Sequence, residues 1–136
     1  MPLGLQLLGL RGQRFGQRPG LLFGLRVGGL ILFKRNIASP EQIAGLCRAA
    51  QACARDNDLP PLFIAIDQEG GVVARLKPPF SQFPGNPAMV GVEDAIAFAQ
   101  TTARELNDIG VNMNMAPVLD VAPEEIPSVM RQRVFA

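Results

Sequence analysis

Residues 61–75 read Pro61-Leu62-Phe63-Ile64-Ala65-Ile66-Asp67-Gln68-Glu69-Gly70-Gly71-Val72-Val73-Ala74-Arg75. The run from Leu62 to Ile66 has no polar face, so it reads as a strand buried on both sides. It stops at Asp67, and the two glycines after it mark a backbone that turns tightly or lies close against another segment. A carboxylate at the C-terminal end of a buried parallel strand stands where α/β folds place their chemistry. The same carboxylate could equally cap the turn that follows.

On the N-terminal side, Gly28 to Phe33 reads as a second buried strand with a polar end at Lys34-Arg35-Asn36. Ser39-Pro40-Glu41-Gln42 announces a helix, with Ser as N-cap, Pro at the first helical position and Gln at the capping-box position. Ile43, Leu46, Cys47, Ala50, Cys53 and Ala54 keep the helical period and form one inward stripe. Asp56 to Pro61 is a turn. On the C-terminal side, Lys77 to Val90 is a loop rich in Pro and Phe, long enough to suggest a functional role. Glu93 to Ile109 predicts a second helix with Ile96, Ala99, Ala103 and Leu106 inside and Gly110 as its stop. Val111, Met113 and Met115 alternate with Asn112 and Asn114, and Ala116 to Leu119 run on to Asp120, which fits a strand with one polar half.

The order strand, helix, strand, loop, helix, strand implies a parallel sheet with helical crossovers. Asp67 and Asp120 both end strands. In a (β/α) barrel such ends converge on one mouth, and paired carboxylates are the usual equipment for glycosidic chemistry. Asp120 as a cap for the segment after it is the competing reading.

Composition narrows the classes. The 136 residues carry a formal charge of +1 and no His, Trp or Tyr, so neither a basic surface for nucleic acid nor a histidine metal site is expected. The charge is uneven: residues 1–40 hold six basic residues and no acid, and the remainder holds seven basic against twelve acidic residues. Cys47 and Cys53 sit about 240° apart on a helix, which argues against a disulfide or a two-thiolate metal site. Asp67 with Glu69 makes a poor metal cage, and Gly70-Gly71 lacks the residues of a phosphate loop. No metal, no cofactor and no membrane partner are expected, and the chain reads as intracellular. Residues 1–26, rich in Gly, Leu, Arg and Gln, match neither a signal nor a transit peptide well. They read as an atypical segment outside the fold, which leaves 27–136 as the folded part.

Four blocks now stand in order: Gly28 to Asn36; Ile66 to Gly71 with Arg75; Ala116 to Val121; and Arg133-Val134-Phe135. Together they resemble glycoside hydrolase family 3, and the Asp-Gln-Glu-Gly-Gly form resembles its bacterial β-N-acetylglucosaminidase branch. The resemblance covers about Val27 to Ala136. It implies a TIM-type (β/α)8 barrel of which this chain supplies about the first three βα units, an incomplete barrel. It implies a retaining enzyme that releases terminal β-linked N-acetylglucosamine through a covalent glycosyl-enzyme, commonly in cytoplasmic turnover of peptidoglycan fragments. The partner is then an N-acetylglucosamine-containing saccharide or muropeptide.

By motif, Asp67 resembles the carboxylate that accepts hydrogen bonds from sugar hydroxyls, Arg75 the arginine that holds the same end of the sugar, and Arg133 a third sugar contact. Val72 stands where the family often has Arg, and Ala136 follows Phe135 where the family tends to have Gly. The family's nucleophile Asp and acid/base His are expected beyond residue 136, so no catalytic residue is assigned within the chain. The expectation is an N-terminal glycosidase fragment, inactive alone. The alternative is a non-catalytic truncated pseudo-enzyme that binds sugar or associates with a partner.

Overall fold

The structure, a computed structural model, describes residues 27–120 and 130–135, together with the backbone of 7–9. It divides into two compact units, Met1–Ile66 with Leu106–Met113, and Asp67–Glu105 with Asn114–Ala136.

In the first unit, β1 (Leu7–Gly9), β2 (Gly29–Leu32) and β3 (Phe63–Ile66) run parallel, with Leu30 opposite Ile64 and Leu32 opposite Ile66. With β6 (Met113–Asn114) they form a sheet ordered β1-β2-β3-β6. The order passes from β3 to β6 because the two short strands between them, at 68–70 and 73–74, pair with each other in a separate sheet. Leu30, Leu32, Leu62, Ile64, Ala65 and Ile66 are buried, as the unbroken apolar runs require. Phe63 departs from that reading, with 47% of its surface exposed. The expectation that residues 1–26 lie outside the fold fails for Leu7–Gly9, which pair with β2. Three residues are too short for a period to show, so the lack of periodicity there was no argument against a strand. The rest of 1–26 lies outside the described residues.

Helix α1 (Pro40–Arg55) starts as the sequence implies: the Gln42 backbone N–H donates to Ser39 Oγ at 3.2 Å. The return bond is displaced by one residue, because Gln42 Oε1 accepts from the Ala38 N–H at 2.9 Å instead of from the cap itself. Glu41, beside the helix N-terminal amides and bonded to Ser39 Oγ, has its carboxyl held below the usual range. Ile43, Cys47, Ala50 and Ala54 are buried on the expected stripe, while Leu46 and Cys53 are half-buried. Burial pushes the Cys47 thiol up to about 11, opposed weakly by Arg48. The turn that closes the helix places Asp58 in the left-handed region (φ 53°), with Leu59 N–H bonded to Ala54 O and Asp58 N–H to Arg55 O. Gln51 then reaches from α1 to the strand entrance, donating to Leu62 O at 2.9 Å and accepting from Leu62 N–H at 3.0 Å.

The polar half of the third predicted strand has a definite task. Asn112 Oδ1 accepts from the Ile64 N–H at 2.7 Å and its Nδ2 donates to Leu62 O at 3.0 Å, so a side-chain amide stands in for a stretch of backbone ladder. Gly110 (φ 79°) closes the preceding helix, with Val111 N–H on Leu106 O and Gly110 N–H on Asn107 O.

In the second unit, β4 (Gln68–Gly70) and β5 (Val73–Ala74) make an antiparallel hairpin with an irregular register. Helix α2 runs Val92–Asp108, one residue earlier than expected at each end. Of its expected inner stripe only Leu106 is buried. In the part of the helix that belongs to this unit, Phe98 and Thr102 are buried, whereas Ile96, Ala99 and Ala103 are exposed. Within this unit the largest apolar side chain selects the face: Phe98 meets Phe83 edge-on at 5.3 Å, and the two alanines have little area to bury. The loop is tied down by Glu105, which accepts from the Ser81 N–H and Oγ, the latter at 2.7 Å.

Candidate active-site segment

The site lies within the second unit and starts from the residue after β3. Gln68 is pinned twice. Its backbone N–H donates to Asn114 Oδ1 and its carbonyl accepts from Asn114 Nδ2, at 3.0 and 3.1 Å. Its buried side-chain oxygen accepts from the N–H groups of Arg75 and Leu76, at 2.8 and 3.0 Å. Asp67 and Glu69, two apart on this extended segment, fall on the same side of it. Each meets an arginine.

Arg75 Nη2 donates to Asp67 Oδ2 at 2.7 Å, with 27% of the arginine side chain and 22% of the aspartate side chain exposed. Arg133 grips Glu69 with a fork, Nη2 to Oε1 at 2.6 Å and Nε to Oε2 at 3.0 Å. Glu69 is only 4% exposed at its side chain and Arg133 is 32% exposed, so a ligand can reach the arginine but hardly the glutamate behind it. The fork, with the nearby charges of Glu69, Asp67 and Asp120, holds the Arg133 guanidinium further above its ordinary range. Asp120 itself is exposed. Arg75 Nε is buried and meets no acceptor among the described residues.

The glycine pair is needed for contact as well as for turning. Gly70 (φ 86°) and Gly71 (φ 57°) are both left-handed. A Cβ on Gly70 would lie 2.9 Å from Phe83 O, and one on Gly71 2.6 Å from Pro84 O. Gly71 N–H donates to Phe83 O at 2.8 Å. The Pro- and Phe-containing loop is thus clasped to the hairpin backbone. The next residues form a short 3-10 turn, Asn86–Ala88, and buried Asn86 donates through Nδ2 to Val118 O at 3.0 Å and to Arg133 O at 2.9 Å.

The three residues singled out by motif, Asp67, Arg75 and Arg133, therefore stand around one segment, with Asp120 in electrostatic reach of Arg133. Glu69, Gln68 and Asn86 were not assigned a part. A buried acid between a strand and two glycines needs a cation, and that need was legible for Glu69; its partner 64 positions away was not. Among the described residues no group of three or more Cys, Asp or Glu side chains could hold a metal ion. Paired carboxylates and forked guanidinium groups instead offer fixed acceptors and donors for a ligand with many hydroxyls.

Comparison with known proteins identifies what the chain is similar to. The sequence profile described as "Glycosyl hydrolase family 3 N terminal domain" matches residues 5–136. The β-hexosaminidase of Alkalilimnicola ehrlichii is 39% identical over 145 aligned positions, which cover 99% of this chain and 40% of that protein. A glycoside hydrolase family 3 β-N-acetylglucosaminidase from Paenibacillus sp. str. FPU-7 superposes with a TM-score of 0.78 at 39% identity, over 85% of this chain and 23% of that one. NagZ from Neisseria gonorrhoeae superposes with a TM-score of 0.79 at 27% identity, over 99% of this chain and 42% of that one. The chain thus spans well under half the length of these relatives.

Proposed function

The chain belongs to glycosyl hydrolase family 3, and we propose that it is the sugar-binding part of a glycosidase that releases terminal β-linked N-acetylglucosamine with retention. The observation that carries this reading is the pair of ion pairs, Asp67–Arg75 and Glu69–Arg133, flanking one segment. Glu69 has both oxygens occupied by Arg133, and Asp67 has one occupied by Arg75. A general acid must present a neutral carboxyl, and a nucleophile needs an unencumbered oxygen facing the anomeric carbon. Glu69 meets neither requirement, and Asp67, with one oxygen left over, is assigned to binding by its match to the family's sugar-binding carboxylate. By the resemblance, the family's nucleophile Asp and acid/base His belong beyond residue 136, and the absence of any His in this sequence is in keeping with that.

In this reading Asp67 accepts from sugar hydroxyls while Arg75 and Arg133 donate to them. The natural substrate is an N-acetylglucosamine-containing saccharide such as a muropeptide, met in the cytoplasm during peptidoglycan turnover. The likeness to β-hexosaminidases supports the sugar.

Titration of the isotopically labelled chain with N-acetylglucosamine, followed by NMR, tests the binding part. Saturable shifts around Asp67, Arg75 and Arg133, lost in Asp67→Ala, are expected. Hydrolysis of a chromogenic β-N-acetylglucosaminide is expected to be absent, and turnover by the purified chain would overturn the division between binding and cleavage.

A further inference from the structure

Arg133 is held at both ends. Its guanidinium meets Glu69 and its own carbonyl accepts from Asn86 Nδ2. The second donor hydrogen of that amide goes to Val118 O, two residues before Asp120. Asn86 is 2% exposed, and its Oδ1 is buried with no hydrogen-bond donor among the described residues. A buried amide that leaves its acceptor unmatched carries a cost, which here is set against two donated bonds. The loop is delivered to this place by the Gly70-Gly71 clasp at Phe83, Pro84 and Gly85, immediately before Asn86.

We propose that Asn86 is a positioning residue that sets the backbone of Arg133, and with it the reach of the guanidinium toward a ligand. Aspartate cannot replace it, because a carboxylate would face the two carbonyls. The link to sugar affinity rests on Arg133 being a sugar contact; the link to the placement of Arg133 does not.

The test uses the 136-residue chain. In the wild type, through-hydrogen-bond couplings from Asn86 Nδ2 to the carbonyl carbons of Val118 and Arg133 are expected; their absence in a folded sample overturns the proposal whether or not any variant folds. In Asn86→Ala, solvent exchange of the Arg133 Nε–H is expected to rise about tenfold, the equivalent of one lost hydrogen bond. The Arg75 Nε–H serves as the internal control and should keep its rate. Equal acceleration of both would mean general loosening and would count against the proposal, as would no change at Arg133.

With N-acetylglucosamine, Asn86→Ala is expected to weaken binding about tenfold and to add nothing to Arg133→Ala. Additive effects would remove the positioning role. If the wild type fails to bind the sugar at all, the proposed function falls, and the placement of Arg133 is then judged on couplings and exchange alone.

Discussion

At the scale of single residues, the Glu69–Arg133 pair is asymmetric, because the acid is 4% exposed and the arginine 32%. Removing the arginine strands a buried charge, whereas removing the acid leaves a guanidinium that water can reach. Arg133→Met is therefore expected to destabilise the chain by about 3 kcal/mol, and Glu69→Gln by less; urea unfolding of the two variants checks the order. Cys47 gives a second outcome. Its thiol, raised by burial from an ordinary 9.0 to about 11, contributes stability that is fully present below pH 9 and lost as pH rises toward 11. At pH 8 it is expected to resist alkylation until the chain is unfolded, measured by mass spectrometry of iodoacetamide-treated protein. The motif residues Asp67, Arg75 and Arg133 could be proposed from the sequence because they stand in recognisable blocks. The identity of each arginine's partner was not, since composition and local pattern carry no information about which side chains meet across 64 positions.

At the scale of elements, the two helix ends illustrate what chain chemistry reveals. Gly110 was legible as a stop because glycine is at ease at φ 79°. Asp58 at φ 53° was not, since aspartate commonly serves in turns of other kinds. Asp58→Gly should relieve that strain and raise stability by roughly 0.5–1 kcal/mol, seen as a higher melting temperature by circular dichroism. Gly71→Ala should do the opposite, since a Cβ 2.6 Å from Pro84 O forces the clasp apart; a loss of roughly 2 kcal/mol or more is expected, from the same measurement. The inner face of α2 escaped the sequence reading for a related reason. Ile96, Ala99, Ala103 and Leu106 do fit a helical stripe, but Phe98 has the largest area to bury and finds an aromatic partner in Phe83.

At the scale of the molecule, the order of strands and helices was readable because doubly covered strands leave unbroken apolar runs, and the observed sheet order follows it. The short strand at Leu7–Gly9 went unread, because three residues among Gly and Arg give a period too little length to express itself. A neutral sugar bound at internally matched ion pairs has no counterions to displace. Its affinity is expected to change less than twofold between about 50 and 500 mM salt, whereas a phosphate-bearing ligand would lose affinity steeply; calorimetric titration at the two concentrations decides. Both arginines are already committed to carboxylates before any ligand arrives. Side chains with many rotatable bonds ordinarily lose much of their freedom when they close on a guest. Here that freedom has been surrendered during folding, so the entropy lost on association falls on the sugar more than on the protein.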